Sequence, residues 1–150
     1  MGVKLILLVF GCIITLVASV YYEDCGGHGF VVESVEVEGC STSPCLINVG
    51  TSVTVTVNSV NTDTSFAALL GEAYIVQLGY AWGLKVTPND ICLHWGGCPL
   101  SESATRKYSG DVYFNSTLLR RRGHLRLTAK YEDGNDFELA FCVRIPVNLI

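Results

Sequence analysis

Seven cysteines in 150 residues, one of them inside an apolar N-terminal run, constrain this chain more than any other feature. The run, Leu5 to Val17, follows a single Lys4 and gives way to the small residues Ala18 and Ser19. Positive, apolar and small-residue regions in that order are the pattern of a secretory signal peptide, expected over residues 1–19 with Ser19 the last residue removed. A bilayer span needs roughly 20 apolar residues, and the shorter run argues against a retained anchor. Cleavage takes Cys12 away and turns an odd cysteine count even, leaving Cys25, Cys40, Cys45, Cys92, Cys98 and Cys142. An even set behind a signal peptide is what a chain bound for an oxidising compartment carries.

Residues 20–150 are expected to form one domain, long enough to bury a core that bridges reinforce rather than replace. Without Lys4 the chain has nine Lys and Arg against fourteen Asp and Glu, a formal charge of −5 with His neutral. A mildly acidic chain offers no electrostatic footprint for nucleic acid. No second apolar span or lipidation motif follows, and Val147-Asn148-Leu149-Ile150 is not an ER-retention signal. The expected destination is therefore secretion, with the lysosomal lumen as the other end station.

The rest of the chain reads as strands separated by turns. Val35 and Val37 alternate with Ser34, Glu36 and Glu38; Val53, Val55 and Val57 alternate with Ser52, Thr54 and Thr56. Leu125, Leu127, Ala129 and Tyr131 stand opposite His124, Arg126, Thr128 and Lys130. A period of two with β-branched residues is a half-buried strand. Asp133-Gly134 signals a hairpin into a last strand from about Phe137 to Val147, with Leu139, Phe141, Val143, Ile145 and Val147 on one face. Ala67 to Ala73 resembles a helical turn, but Tyr74, Val76, Leu78, Tyr80 and Trp82 continue at period two, so strands are expected there as well. Many short strands with regular turns and no helical pattern of useful length predict an all-β, antiparallel two-sheet sandwich.

Six cysteines allow 15 pairings, and spacing alone does not choose among them. Cys40 and Cys45 flank a tight Ser-Thr-Ser-Pro loop, and Cys92 and Cys98 flank a glycine-containing one, so two local bridges are reasonable; Cys25 and Cys142 would then remain. Cys92, His94 and Cys98 fit no standard zinc spacing, and no metal or other cofactor is expected. Nor does the chain carry a G-x-S-x-G elbow, an H-E-x-x-H helix or a phosphate loop, so it is not expected to be an enzyme. His28, His94 and His124 read as surface histidines.

Asp24-Cys25-Gly26, Val35-Glu36-Val37-Glu38-Gly39-Cys40, Pro44-Cys45 and Gly50 before an alternating strand form an ordered set. Cys92, Cys98-Pro99-Leu100 and Phe141-Cys142 with Ile145-Pro146-Val147 continue it. From about Tyr22 to Ile150 this set resembles the ML lipid-recognition family, in particular its Niemann–Pick type C2 and group-two mite-allergen branches. The resemblance implies an immunoglobulin-like β-sandwich with an apolar cavity between the sheets. It also implies the pairing Cys25–Cys142, Cys40–Cys45 and Cys92–Cys98. A ligand follows from it as well: a sterol, a fatty acid or a phospholipid.

Alternation cannot distinguish a filled core from an open one, because both need inward Val, Leu and Tyr. The small residues Ala67, Ala68, Gly71, Ala73, Gly79 and Ala81 hint at spare volume, which would favour an apolar guest. Carried over from the resemblance, the expected lining is Val37, Val53, Val55, Leu78, Trp82, Leu84, Phe114, Leu118, Leu125, Leu127, Tyr131 and Val147. The chain departs from the family pattern around the mouth. A Pro-rich lip becomes Gly79-Tyr80-Ala81-Trp82-Gly83-Leu84, an aromatic-rich segment becomes Ser103 to Gly110, and a Trp on the next-to-last strand becomes Tyr131.

Two surface features complete the reading. Asn115-Ser116-Thr117 is an N-glycosylation sequon. Arg120-Arg121-Arg122 with Arg126 is a basic cluster that reads as a solvated loop or as a transient contact with anionic membrane. The leading expectation is a secreted lipid or sterol carrier. Its rivals are a lipid-sensing co-factor with a receptor partner in innate recognition, and a filled sandwich serving adhesion or interaction.

Overall fold

The computed structural model describes residues 18–62, 66–98, 104–133 and 136–150. The expected signal peptide falls almost wholly outside the described residues, as does the tip of the Asp133-Gly134 hairpin.

The described residues form nine strands and one helical turn: β1 Glu23–Gly26, β2 Phe30–Val37, β3 Cys45–Ile47, β4 Thr51–Asn61, β5 Leu70–Gln77, β6 Tyr80–Thr87, α1 Ile91–His94, β7 Thr105–Phe114, β8 Arg122–Asp133 and β9 Asp136–Leu149. The strand order is β1-β9-β8-β5-β6-β7-β4-β2, with β3 added beside β9 as a parallel pair. Strand β6 turns the corner between the two layers. It pairs with β5 from Tyr80 to Leu84 and with β7 through Lys85, Val86 and Thr87. The all-β sandwich expected from alternation is therefore the fold, nearly closed on itself through β6. The stretch before Leu70 is irregular rather than strand.

The periodicity works as read on β4 and β8: Val55 and Val57, and Leu125, Leu127 and Ala129, are buried. The three bridges of the structure are Cys25–Cys142, Cys40–Cys45 and Cys92–Cys98. The first ties β1 to β9 across 117 residues of sequence. In the chain-entropy model such a loop is worth roughly 5 kcal/mol. Val20 is packed from the outset, its N–H donating to the Val35 carbonyl at 2.8 Å.

The space between the sheets is closed. Val35, Val55, Val57, Leu69, Ile75, Tyr108, Val112, Phe114, Leu125, Leu127, Val143, Ile145 and Val147 show no exposed surface. The cavity implied by the family resemblance thus has no exposed lining at these residues, and Gly71, one of the small residues that hinted at spare volume, shows part of the reason. A Cβ on Gly71 would stand 2.8 Å from the Tyr108 hydroxyl, and one on Gly110 2.7 Å from it. The volume those glycines leave is taken by the Tyr108 phenol, which donates to the Pro88 carbonyl at 2.7 Å. Of the others, Ala67, Ala68, Gly79 and Ala81 lie at the surface, and Ala73 alone adds to the core. At the same end as Pro88, Phe30 stacks on Phe66 and meets Phe141 edge-on, while Phe66 packs on Tyr131 with ring centroids 4.6 Å apart.

Candidate functional site

The end of the sandwich away from that aromatic cluster is built differently, and β6 is the reason. Its even-numbered residues face inward, but β7 covers the strand only from Lys85 onward. The inward row therefore emerges from the core: Val86 is 9% exposed, Leu84 half-buried, Trp82 37% and Tyr80 69%. The Tyr80 and Trp82 rings lie 6.0 Å apart. Among the described residues, this inward row grows more exposed where β6 runs beyond its pairing with β7.

A two-residue turn sets that geometry. Gln77 pairs with Tyr80, and Leu78 and Gly79 between them both have positive φ, 52° and 80°. Glycine adopts that conformation freely; Leu78 is held in it by the hairpin. The turn also reverses parity. Gly71, Ala73, Ile75 and Gln77 face inward on β5, Leu84 and Val86 on β6. The run Tyr74, Val76, Leu78, Tyr80, Trp82 is thus two faces, not one, with Tyr74 and Val76 on the outer side.

The β7–β8 loop, residues 115–121, is tied to this open end by one side chain. Gln77, 2% exposed, donates from Nε2 to the Leu119 and Arg121 carbonyls, each at 3.1 Å. Its Oε1 is buried and has no hydrogen-bond partner among the described residues. The Leu149 N–H bonds the same Arg121 carbonyl at 3.1 Å. Within the loop, the Thr117 N–H donates to Asn115 Oδ1 at 3.0 Å and Leu118 packs against the core.

Of the residues expected to line a pocket, Val37, Val55, Phe114, Leu125, Leu127 and Val147 come together in the core. Val53, Leu84, Leu118 and Tyr131 pack against it from its margin. Trp82 has inward parity but stands beyond the core. Leu78, 64% exposed at the hairpin tip, is outside the inter-sheet space, because the turn places it between the strands rather than on either inner face. Gln77 is the residue the sequence reading passed over. The Leu78-Gly79 pair midway between Leu70 and Thr87, a stretch too long for an ordinary single strand, is the signal that reveals the turn.

Charge is distributed unevenly around this end. Arg120, Arg121 and Arg122 are exposed, and none has an acidic partner within an ion-pair distance among the described residues. Arg126 does not join them; its guanidinium lies over the Tyr74 ring at 4.9 Å on the outer face. Beside it, burial alone would raise the Glu72 carboxyl, but hydrogen bonds from Lys130 and Tyr74 outweigh this and hold it below the usual carboxylate range. A groove of about 470 Å³ runs along the rim, lined by Pro44, Val76, Leu78, Pro146 and Val147 with Arg122 and His124 at its side. A larger hollow of about 640 Å³ over β2 and β4 has a mixed lining, with Glu36, Glu38, Thr54 and Thr56 beside Ala18, Val37 and Cys40.

Comparison with known proteins fits this geometry. The pig protein named NPC intracellular cholesterol transporter 2 is 28% identical over 138 residues, covering 89% of this chain and 87% of its own. The dog protein of the same name is 26% identical over 135 residues, covering 87% and 85%, and the bovine one 22% over 135, covering 89% and 87%. A crystal structure of a Niemann–Pick type C2 protein from the Japanese carpenter ant superposes with a TM-score of 0.72 at 17% identity, over 87% of this chain and 99% of that one. The chain has the ML-type, NPC2-like fold. The C-terminal domain of wzt, at a TM-score of 0.57 and 14% identity, shares the sandwich over 87% of this chain and 77% of its own. No protein-family model matches the chain.

Proposed function

We propose that this chain is a secreted, disulfide-stapled carrier that holds one apolar lipid between its sheets and performs no chemistry on it. The observation that carries the reading is the inward face of β6. Tyr80, Trp82 and Leu84 form an apolar approach leading directly into a core of Val, Leu and Phe. Full-length similarity to the cholesterol transporters supports it. The guest is a sterol, fatty acid or phospholipid that slides in past Trp82 and parts Phe114 and Leu118 from β6. Its driving force is desolvation, roughly 25 cal/mol for each Å² of apolar area removed from water, less the cost of ordering. Val37, Val53, Val55, Leu125, Leu127, Tyr131 and Val147 would receive it. Exposed Leu78 and Leu119 beside Arg120, Arg121 and Arg122 suit a brief contact with an anionic membrane during loading or delivery. The exposed Asn115 sequon would carry its glycan on the adjoining loop, and residues 1–19 would be removed on export, to the extracellular fluid or the lysosomal lumen.

The test is lipid titration of a Trp95→Phe variant, in which Trp82 is the remaining indole, alongside native mass spectrometry of protein from a secretory host. Trp82 fluorescence should shift and saturate at one lipid per chain. A bare mass and unmoved fluorescence with sterols, fatty acids and phospholipids alike would refute the carrier reading. That result would favour the second reading, a filled interaction module, whose own support is the closed interior.

A further inference from the structure

The carrier reading leaves open how a guest with a polar end is distinguished from one without, and Gln77 supplies an answer that rests on that reading. A strand residue with inward parity, among Gly71, Ala73 and Ile75, is expected to be apolar; this one is an amide and almost completely buried. Its orientation is determined. Both Nε2 hydrogens are used by the Leu119 and Arg121 carbonyls, and a flipped amide would set Oε1 against those two oxygens. The planar group therefore turns Oε1 away from the loop. Gly123 on β8 gives it room: a Cβ there would come within 2.6 Å of Gln77 Cγ. The result is a fixed, desolvated acceptor with no donor among the described residues, at the end where β6 is uncovered. A buried acceptor without a donor is unfavourable, and a ligand that brings one relieves it.

We infer that Gln77 Oε1 is the polar-end reader of this carrier, selecting apolar guests whose head group is a hydrogen-bond donor. A free hydroxyl satisfies it. An ether or ester oxygen does not, and an ionised fatty-acid carboxylate, which only accepts, is repelled by it. Sites that hydrogen-bond a substrate hydroxyl reject the analogue lacking it far better than apolar walls reject a methylene.

The experiment compares two matched pairs on the whole chain: cholesterol with its 3-methyl ether, and 1-hexadecanol with its methyl ether, with hexadecanoate as a third long-chain probe. Affinity is read by Trp82 fluorescence in the Trp95→Phe background, taken as the wild type at position 77, and stoichiometry by native mass spectrometry. Wild type is expected to bind at least one alcohol about tenfold more tightly than its ether, and hexadecanol more tightly than hexadecanoate at pH 7. In Gln77→Leu the alcohol-to-ether ratio should fall to about one while the ether still binds. Equal affinity for alcohol and ether in the wild type overturns the inference and leaves the carrier reading standing, whatever the variant does. If neither pair nor a phospholipid binds, the carrier reading fails and this one with it.

Discussion

Replacing Tyr108 by Phe tests how the interior is held closed. The substitution removes one oxygen and keeps the ring. At neutral pH it deletes the 2.7 Å hydrogen bond to the Pro88 carbonyl and strands that acceptor beside the small pocket formed by Gly71 and Gly110. A lost bond with an orphaned buried partner costs about 1–2 kcal/mol. High pH reverses the balance. Burial pushes the Tyr108 phenol up to about 12 from its ordinary 10, so between those values the unfolded chain has lost the proton and the folded one retains it. Fewer protons bound in the unfolded state means that stability falls as pH rises. At about 1.4 kcal/mol for each pH unit, this one group withdraws up to about 2–3 kcal/mol by pH 12. The phenylalanine variant has no such loss. Urea unfolding with the bridges intact, at steps from pH 7 to 12, should show wild type ahead by about 1–2 kcal/mol at neutrality. The gap should close above pH 10 and disappear or reverse by about pH 12. A difference that stays constant over that range would refute the claim that Tyr108 titrates as a buried, hydrogen-bonded phenol.

Gly71→Ala should destabilise by about 1–3 kcal/mol through overpacking against the Tyr108 hydroxyl, and by clearly less in a Tyr108→Phe background; a double-mutant cycle in urea measures the coupling. Replacing Cys25 and Cys142 together by Ser should cost about 2–5 kcal/mol, read as a drop in urea midpoint, whereas loss of the short Cys40–Cys45 bridge should cost less because it closes a much smaller loop. Changing Arg120, Arg121 and Arg122 together to Ser should slow lipid transfer to vesicles containing anionic lipid severalfold and remove the salt dependence of the rate, with transfer to neutral vesicles unchanged. A rate insensitive to both the substitutions and salt would exclude that surface from the transfer step.

The sandwich was legible because alternation is a local signal. Val53, Val55 and Val57, and Leu125 and Leu127, declare their buried faces without knowledge of partners. The cysteine pairing came from the ordered family resemblance, since spacing alone left fifteen choices. What the sequence concealed depends on contacts between distant segments. Gly71 looks like spare volume until Tyr108 is seen to occupy it. The face of Trp82 is misread unless the turn at Leu78-Gly79 is found, because a two-residue hairpin exchanges which parity points inward. Gln77 is hidden for the same reason. On the wrong parity it is an ordinary exposed polar residue; on the right one it is a buried amide with one atom unsatisfied.

A closed interior does not count equally against both routes into it. A guest entering from the aromatic end must separate Phe30, Phe66, Phe141 and Tyr131, which already bury one another in stacked and edge-on contacts. Each displaced ring forfeits contacts that the guest then has to replace, and the net gain is near zero. At the β6 end the account differs, because Trp82 and Tyr80 already face water on what would be an inner face. Covering them is gain from the first contact, and Leu118, at the margin of the core, moves before Phe114 within it. On the carrier reading, a guest would therefore advance from exposed apolar surface towards buried surface and would need the sheets to part only as far as it enters. Enlarging the aromatic end by Phe66→Ala should lower stability by about 3–5 kcal/mol with little change in lipid on-rate. Trp82→Ala should leave stability within about 1 kcal/mol and slow the on-rate markedly. Stopped-flow association with both variants decides the route, and the opposite assignment of effects would place the mouth at the aromatic end.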